Sequence, residues 1–176
     1  MRDANRGQVL TTNGAAGSIS ATDHVLVIGL GNPILGDDGV GWRVAEHVGT
    51  LLAGDARIEV DCLAVGGLSL MERMLGYGRV ILVDSIETGA SPEGTVSAFS
   101  LNDLANPRLG HSASVHDASL GTALETANAM GGVIPRRVDI VAIEARSCHD
   151  FSEELSPLVA AAVPIAAQQV LDLLDT

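Results

Sequence analysis

The stretch His24-Val25-Leu26-Val27-Ile28-Gly29-Leu30-Gly31-Asn32-Pro33-Ile34-Leu35-Gly36-Asp37-Asp38-Gly39-Val40-Gly41 reads as strand, turn and helix start in succession. His24–Leu30 is a continuous β-branched and apolar run, the pattern of a strand covered on both faces. The glycines and Pro33 that follow punctuate a turn. Gly39–Leu52 then places Val40, Val44, Val48 and Leu51/Leu52 on one helical face. A buried strand feeding a helix through a short turn is the first half of a βα repeat.

The rest of the chain keeps this rhythm. Arg57–Leu63 reads as a second strand. Leu68–Leu75 reads as a helix ended by Gly76 and Gly78. Arg79–Asp84 is a third, buried strand, and Thr95–Phe99 a short alternating strand after the turn Ser91-Pro92-Glu93-Gly94. Asn102–Ala113 is a polar loop. Val115–Met130 is a helix stopped by Gly131-Gly132, and Arg137–Glu144 another strand. Pro157–Leu174 is an Ala-rich closing helix in which Pro164 predicts a kink. There is no internal repeat. The alternation predicts an α/β fold, a three-layer α/β/α sandwich whose mainly parallel sheet carries one short antiparallel edge strand. Residues 1–23 are polar and small and are expected to form a disordered tail, leaving 24–176 as a single α/β domain.

Composition narrows the function classes. A formal charge of −12 opposes binding to nucleic acid or to anionic membrane surfaces. It suits solubility or a partner that is neutral, basic or metal-bearing. Two cysteines, Cys62 and Cys148, make neither a disulfide framework nor a CxxC metal site, so a reducing cytoplasm is expected. No signal peptide and no stretch able to span a bilayer is expected. With only 2% aromatic residues, the core must be built from Val, Leu, Ile and Ala.

In a parallel sheet, ligands bind beyond the carboxyl ends of the strands. Asp38 follows the first strand and Asp84 ends the third, so both belong on that edge. His116, in Ser114-Val115-His116-Asp117, opens a helix and reaches the same edge if the 101–113 loop folds back. Two carboxylates and an imidazole from three loops would make an open metal site. Each residue also has a plain structural reading. Asp37 or Asp38 can cap the helix that follows, with Asp37 sufficient for that. Asp84 can cap its loop, and His116 can merely sit in a first helical turn. Gly29-x-Gly31 after a strand suggests a dinucleotide turn, but Ile34 stands where the third glycine is needed, and Asp37-Asp38 would repel a phosphate. Cys148-His149-Asp150 reads as loop, with a metal or redox role as the weaker option, and Cys62 as core.

These residues resemble a family. Gly29–Pro33 with Gly36–Gly41 is similar to the opening motif of the hydrogenase maturation endopeptidases, Ile81-Leu82-Val83-Asp84 to their second motif, and Ser114–Asp117 to their third. The likeness runs in order from about His24 to the C-terminus. It implies a nickel-dependent protease that removes a C-terminal peptide from the precursor of a [NiFe]-hydrogenase large subunit once nickel is inserted. It places the metal-binding trio on Asp38, Asp84 and His116, with Asp38 and Asp84 catalytic. Some members carry Glu at the position of Asp38. It assigns substrate contact to Gly66 and Gly67, where many members continue with Thr and this chain has Leu68. The nickel would come with the substrate, and zinc or cadmium could replace it in vitro. The expected enzyme is a cytoplasmic monomer whose partner is the large-subunit precursor, with no nucleic acid and no membrane insertion. Either the metal activates a water or a carboxylate acts as general base. A nickel-binding chaperone that does not cut, and a metabolite-binding regulator, are the competing functions.

Overall fold

β1 (Val25–Leu30) is buried from Leu26 onward, and the rest of the sheet is built around it. The computed structural model describes residues 24–104, 115–146 and 151–176, and the side chains of residues 104 and 115–119 lie outside that description. The expected tail 1–23, most of the loop before Val115, and Cys148-His149-Asp150 also lie outside the described residues.

After β1 come a 3₁₀ turn (Gly36–Gly39), α1 (Val40–Leu51), β2 (Ile58–Leu63), α2 (Gly67–Met74) and β3 (Arg79–Ile86). β4 (Val96–Ser100), the short α3 (Leu101–Leu104), α4 (Val115–Ala129), β5 (Arg137–Glu144) and α5 (Pro157–Leu174) complete the chain. The strand order is β2-β1-β3-β5-β4. All neighbours are parallel except β4, which runs antiparallel to β5 at the edge. This is the three-layer α/β/α sandwich that the alternating pattern predicts.

Strand alternation divides the core in two. Leu26, Ile28, Leu30, Val80, Leu82 and Ile140 face one way, with Leu70 and Met74 of α2 and Leu120 and Leu124 of α4. Val27, Ile81, Val83, Val141 and Ile143 face the other way, against Val44 and Val48 of α1 and Val159, Ala166 and Val170 of α5. Contrary to the sequence reading, one helix, α5, is long and apolar enough by length and composition to cross a membrane. Here it is a layer of the domain, with Val159, Ala162, Ala166, Ala167 and Val170 buried. Pro164 lies on its exposed side, and the helix runs through it as one 18-residue element.

α1 sits unusually close to the sheet. A Cβ on Gly41 would come within 3.0 Å of the carbonyl oxygens of both Leu30 and Val83, and a Cβ on Gly29 would strike Gly41. Only glycine lets these backbones touch. The opening glycines are therefore a packing device between strand and helix.

Candidate functional site

The strand order gives the site its location. β1 has β2 on one side and β3 on the other, so the connections after β1 and β3 diverge at their carboxyl ends. A crevice opens at such a reversal. β1 pairs with β3 only as far as Gly29 opposite Val83. Asp84 is the next residue of β3 and stands just past that pairing. β3 does not stop there, as its sequence suggests. It continues along β5 to Ile86, with Asp84 opposite Ala142. Asp84 shares the parity of Val80 and Leu82, which directs it to the α2/α4 side of the sheet.

Asp38 reaches the same crevice by a tightly bonded turn. Gly31 reverses the chain with φ +115°, and a Cβ there would overlap the carbonyl oxygen of Asp38. Leu35 N–H donates to the Asn32 carbonyl at 3.0 Å, and Asp38 N–H to the Leu35 carbonyl at 3.3 Å. Asn32 N–H donates to Asp38 Oδ2 at 2.5 Å, while the Asn32 side chain accepts from Ile34 N–H at 3.2 Å. The carboxylate is thus held by its own turn.

Asp38 and Asp84 line one cleft of about 270 Å3. Leu30, Val65, Leu70 and Leu120 supply apolar walls, and Gly31, Asn32, Ala64, Gly66 and Ser85 complete it. Asp84 Oδ1 accepts Ser85 N–H at 2.8 Å. Each carboxylate therefore has one oxygen fixed by a backbone donor. Gly66 borders the cleft, and Gly67 starts α2 one residue later with φ +58°. His116 falls in the first turn of α4, one turn before the cleft-lining Leu120. Its side chain lies outside the described residues, and among the described residues no three metal-ligating side chains cluster. Two carboxylates in one cleft fit the oxygen part of a hard O/N donor set, which suits nickel or zinc. Two carboxylates also repel a phosphate by like charge.

Three positions differ from their sequence reading or escaped it. Asp37 does not cap α1, whose N-cap is Gly39 with no side-chain bond. Asp37 is buried and accepts Ser156 N–H across 119 residues at 2.6 Å. Cys62 is not core. It is half-buried on the edge strand β2, with Sγ 3.9 Å from the Trp42 carbonyl. Glu144 ends β5 at 5% exposure and accepts Thr88 N–H, Thr88 Oγ1–H and Gly89 N–H at 2.8, 2.6 and 2.7 Å. It thereby fixes the chain just after β3. Burial raises its pKa, but these three donors outweigh burial and hold it below the ordinary glutamate value. An acid closing an apolar strand, the feature that draws attention to Asp84, is present at Glu144 too.

Comparison with known proteins places this geometry. The sequence profile of the hydrogenase maturation protease family (HycI) matches residues 60–173. The chain is 25% identical over 149 residues to the hydrogenase expression/formation protein HupD of Rhodobacter capsulatus, spanning 85% of this chain and 70% of that one. It is 27% identical over 149 residues to the hydrogenase 2 maturation protease of Escherichia coli (strain K12), spanning 84% and 88%. The crystal structure of a hydrogenase 2 maturation peptidase from Thaumarchaeota archaeon SCGC_AB-539-E09 superposes with TM-score 0.59 at 30% identity, over 86% and 97% of the two chains. The hydrogenase maturating endopeptidase HybD from E. coli superposes with TM-score 0.67 at 24% identity, over 86% and 92%, a likeness of fold. A profile match over most of the chain, on a fold that these structures share, carries the conclusion that the chain belongs to the hydrogenase maturation protease family.

Proposed function

We propose that this chain is an endopeptidase that removes a C-terminal peptide from the nickel-loaded precursor of a [NiFe]-hydrogenase large subunit. The observation that carries the reading is the pair Asp38 and Asp84, brought from two different strand ends into one open cleft. The apolar walls can take peptide side chains, and Ala64–Gly66 border the cleft where an extended segment would pass.

Nickel arrives as part of the substrate, and Asp38, Asp84 and His116 are the residues that would hold it. Zinc or cadmium could stand in for it in vitro. When bound, the ion polarises a carbonyl or lowers the pKa of a water. The chain's own part is to fix two carboxylates beside the peptide. A carboxylate at hydrogen-bond distance can take a proton from the attacking water and return it to the leaving amine. A cage of two oxygens and one nitrogen holds nickel weakly, which favours recognition of nickel already seated in the precursor. The enzyme works as a monomer in the cytoplasm.

The test is to incubate the chain with nickel-loaded large-subunit precursor and weigh the products. Loss of mass from the precursor's C-terminus supports a protease. Binding with no mass change would leave a nickel-binding chaperone as the function.

A further inference from the structure

The reaction proposed above uses Asp38 and leaves its neighbour Asp37 without a role. Asp37 is only 6% exposed. Its Oδ1 accepts the backbone N–H of Ser156, the N-cap of α5, at 2.6 Å. Two backbone bonds join the same two segments: Gly36 N–H donates to the Ser152 carbonyl at 2.6 Å, and Ser152 N–H to the Ile34 carbonyl at 3.0 Å. They make a short parallel bridge between Leu35 and Ser152. The Ser156 hydroxyl donates to Glu93 at 3.0 Å, which ties the same corner to the segment before β4.

These bonds do what the turn's internal bonds cannot. The Asn32 and Leu35 contacts set Asp38 relative to its own turn. They do not set the turn relative to the sheet on which Asp84 stands. Gly41, just after the turn, anchors one side of it to Leu30 and Val83; the link to Ser156 adds a second anchor, because α5 begins there and is packed on the sheet through Val159, Ala162 and Ala166. We infer that Asp37 is a positioning residue: by holding Ser156 N–H it fastens the Asp38 turn to α5 and so fixes the spacing of Asp38 to Asp84. The inference rests on the proposed peptidase reading. Reacting groups displaced by 1 Å typically lose on the order of 100-fold in rate.

The experiment measures kcat and KM for cleavage of a nickel-loaded large-subunit precursor, with hydrogen exchange of the 32–39 amides alongside. Asp37→Ala should lower kcat by about 100-fold, as a misplaced catalytic group does, while KM stays near the parent's and exchange of the turn rises. Asp37→Asn keeps an oxygen for Ser156 N–H and should restore most of kcat. Ser156→Pro removes the donor at a residue whose φ of −59° already suits proline. It should resemble Asp37→Ala, and the double variant should be little worse than either single one. If Asp37→Ala does not fold, Asp37→Asn and Ser156→Pro decide the matter by the same criteria. Parent-like kcat in Asp37→Ala or Ser156→Pro, or an Asp37→Asn as slow as Asp37→Ala, would overturn the inference. The parent and Asp38→Asn distinguish the levels: a parent that leaves the precursor whole overturns the peptidase reading, a parent rate in Asp38→Asn overturns the catalytic role of Asp38, and an inactive Asp38→Asn beside an active Asp37→Ala overturns only the positioning role.

Discussion

Replacing Gly41 by alanine should destabilise the protein, although alanine is the better helix former. In an ordinary helix interior, Gly→Ala stabilises by about 0.5–1 kcal/mol. At Gly41 the new methyl would come within 3.0 Å of the carbonyl oxygens of Leu30 and Val83 and lie 2.9 Å from Leu30 N. Ordinary contact begins near 3.4 Å. Backbone of the two central strands cannot yield as a side chain can, so α1 must back off the sheet by several tenths of an ångström. Overpacking of this kind costs about 1–3 kcal/mol. Subtracting the helix gain leaves a net loss of roughly 1 kcal/mol and at most about 2.5, which for a domain of this size lowers Tm by about 2–4 °C, and by no more than about 10 °C. Gly49→Ala on the same helix is the control. Its methyl would meet the Val60 side chain at 3.8 Å, an ordinary contact, so it should raise Tm by about 1–4 °C. Thermal unfolding followed by circular dichroism reads both. A Gly41→Ala variant that melts at or above the parent, or a Gly49→Ala variant that falls equally, would refute the close-approach reading of the glycine motif. Gly41→Ala should also slow cleavage, because Leu30 and Val83 directly precede the Gly31 turn and Asp84.

Glu144→Ala should cost about 1–3 kcal/mol for each N–H it leaves unsatisfied at Thr88 and Gly89, read by urea unfolding. Because the folded-state pKa of Glu144 is lowered, its stabilisation is fully present above its ordinary value of 4.5 and is lost as pH falls through the folded value. Tm of the parent should therefore drop more steeply below pH 4.5 than that of Glu144→Gln, and parallel curves would contradict this. Burial first, and Glu46 and Asp61 after it, push the Cys62 thiol up to about 11. Iodoacetamide at pH 8 should alkylate Cys62 slowly in the native protein and readily in urea, as peptide mass mapping will read, and Cys62→Ser should still process precursor. Fast native labelling would mean that β2 opens.

Periodicity made most of the fold legible, because burial on both faces writes a strand as an unbroken apolar run. β1 and the Val80–Val83 stretch of β3 show this most plainly. Element ends were less legible. β3 runs two residues past Asp84 because β5 continues to pair with it there, a tertiary cause invisible in Arg79–Asp84 itself. The helix start after Asp38 depends on tertiary context in the same way. Capping is a local rule, and it assigned Asp37 to α1, whereas the chain uses Asp37 across 119 residues at the start of α5. Cys62 looks like core by residue type, yet the strand order puts β2 at the edge. In the cleft, the carboxyl-edge rule was enough to place Asp38 and Asp84 together. It could not find Leu120 or Ser85, whose parts depend only on how α4 and β3 meet.

The most direct test of the central claim is the mass of nickel-loaded large-subunit precursor after incubation with the parent chain and with Asp84→Asn. Asp84→Asn keeps the size and hydrogen bonding of the side chain and removes its charge. The account predicts loss of a C-terminal peptide with the parent and an uncut precursor with Asp84→Asn, both proteins melting at similar temperatures. A precursor left whole by the parent, or cut equally well by Asp84→Asn, would contradict it.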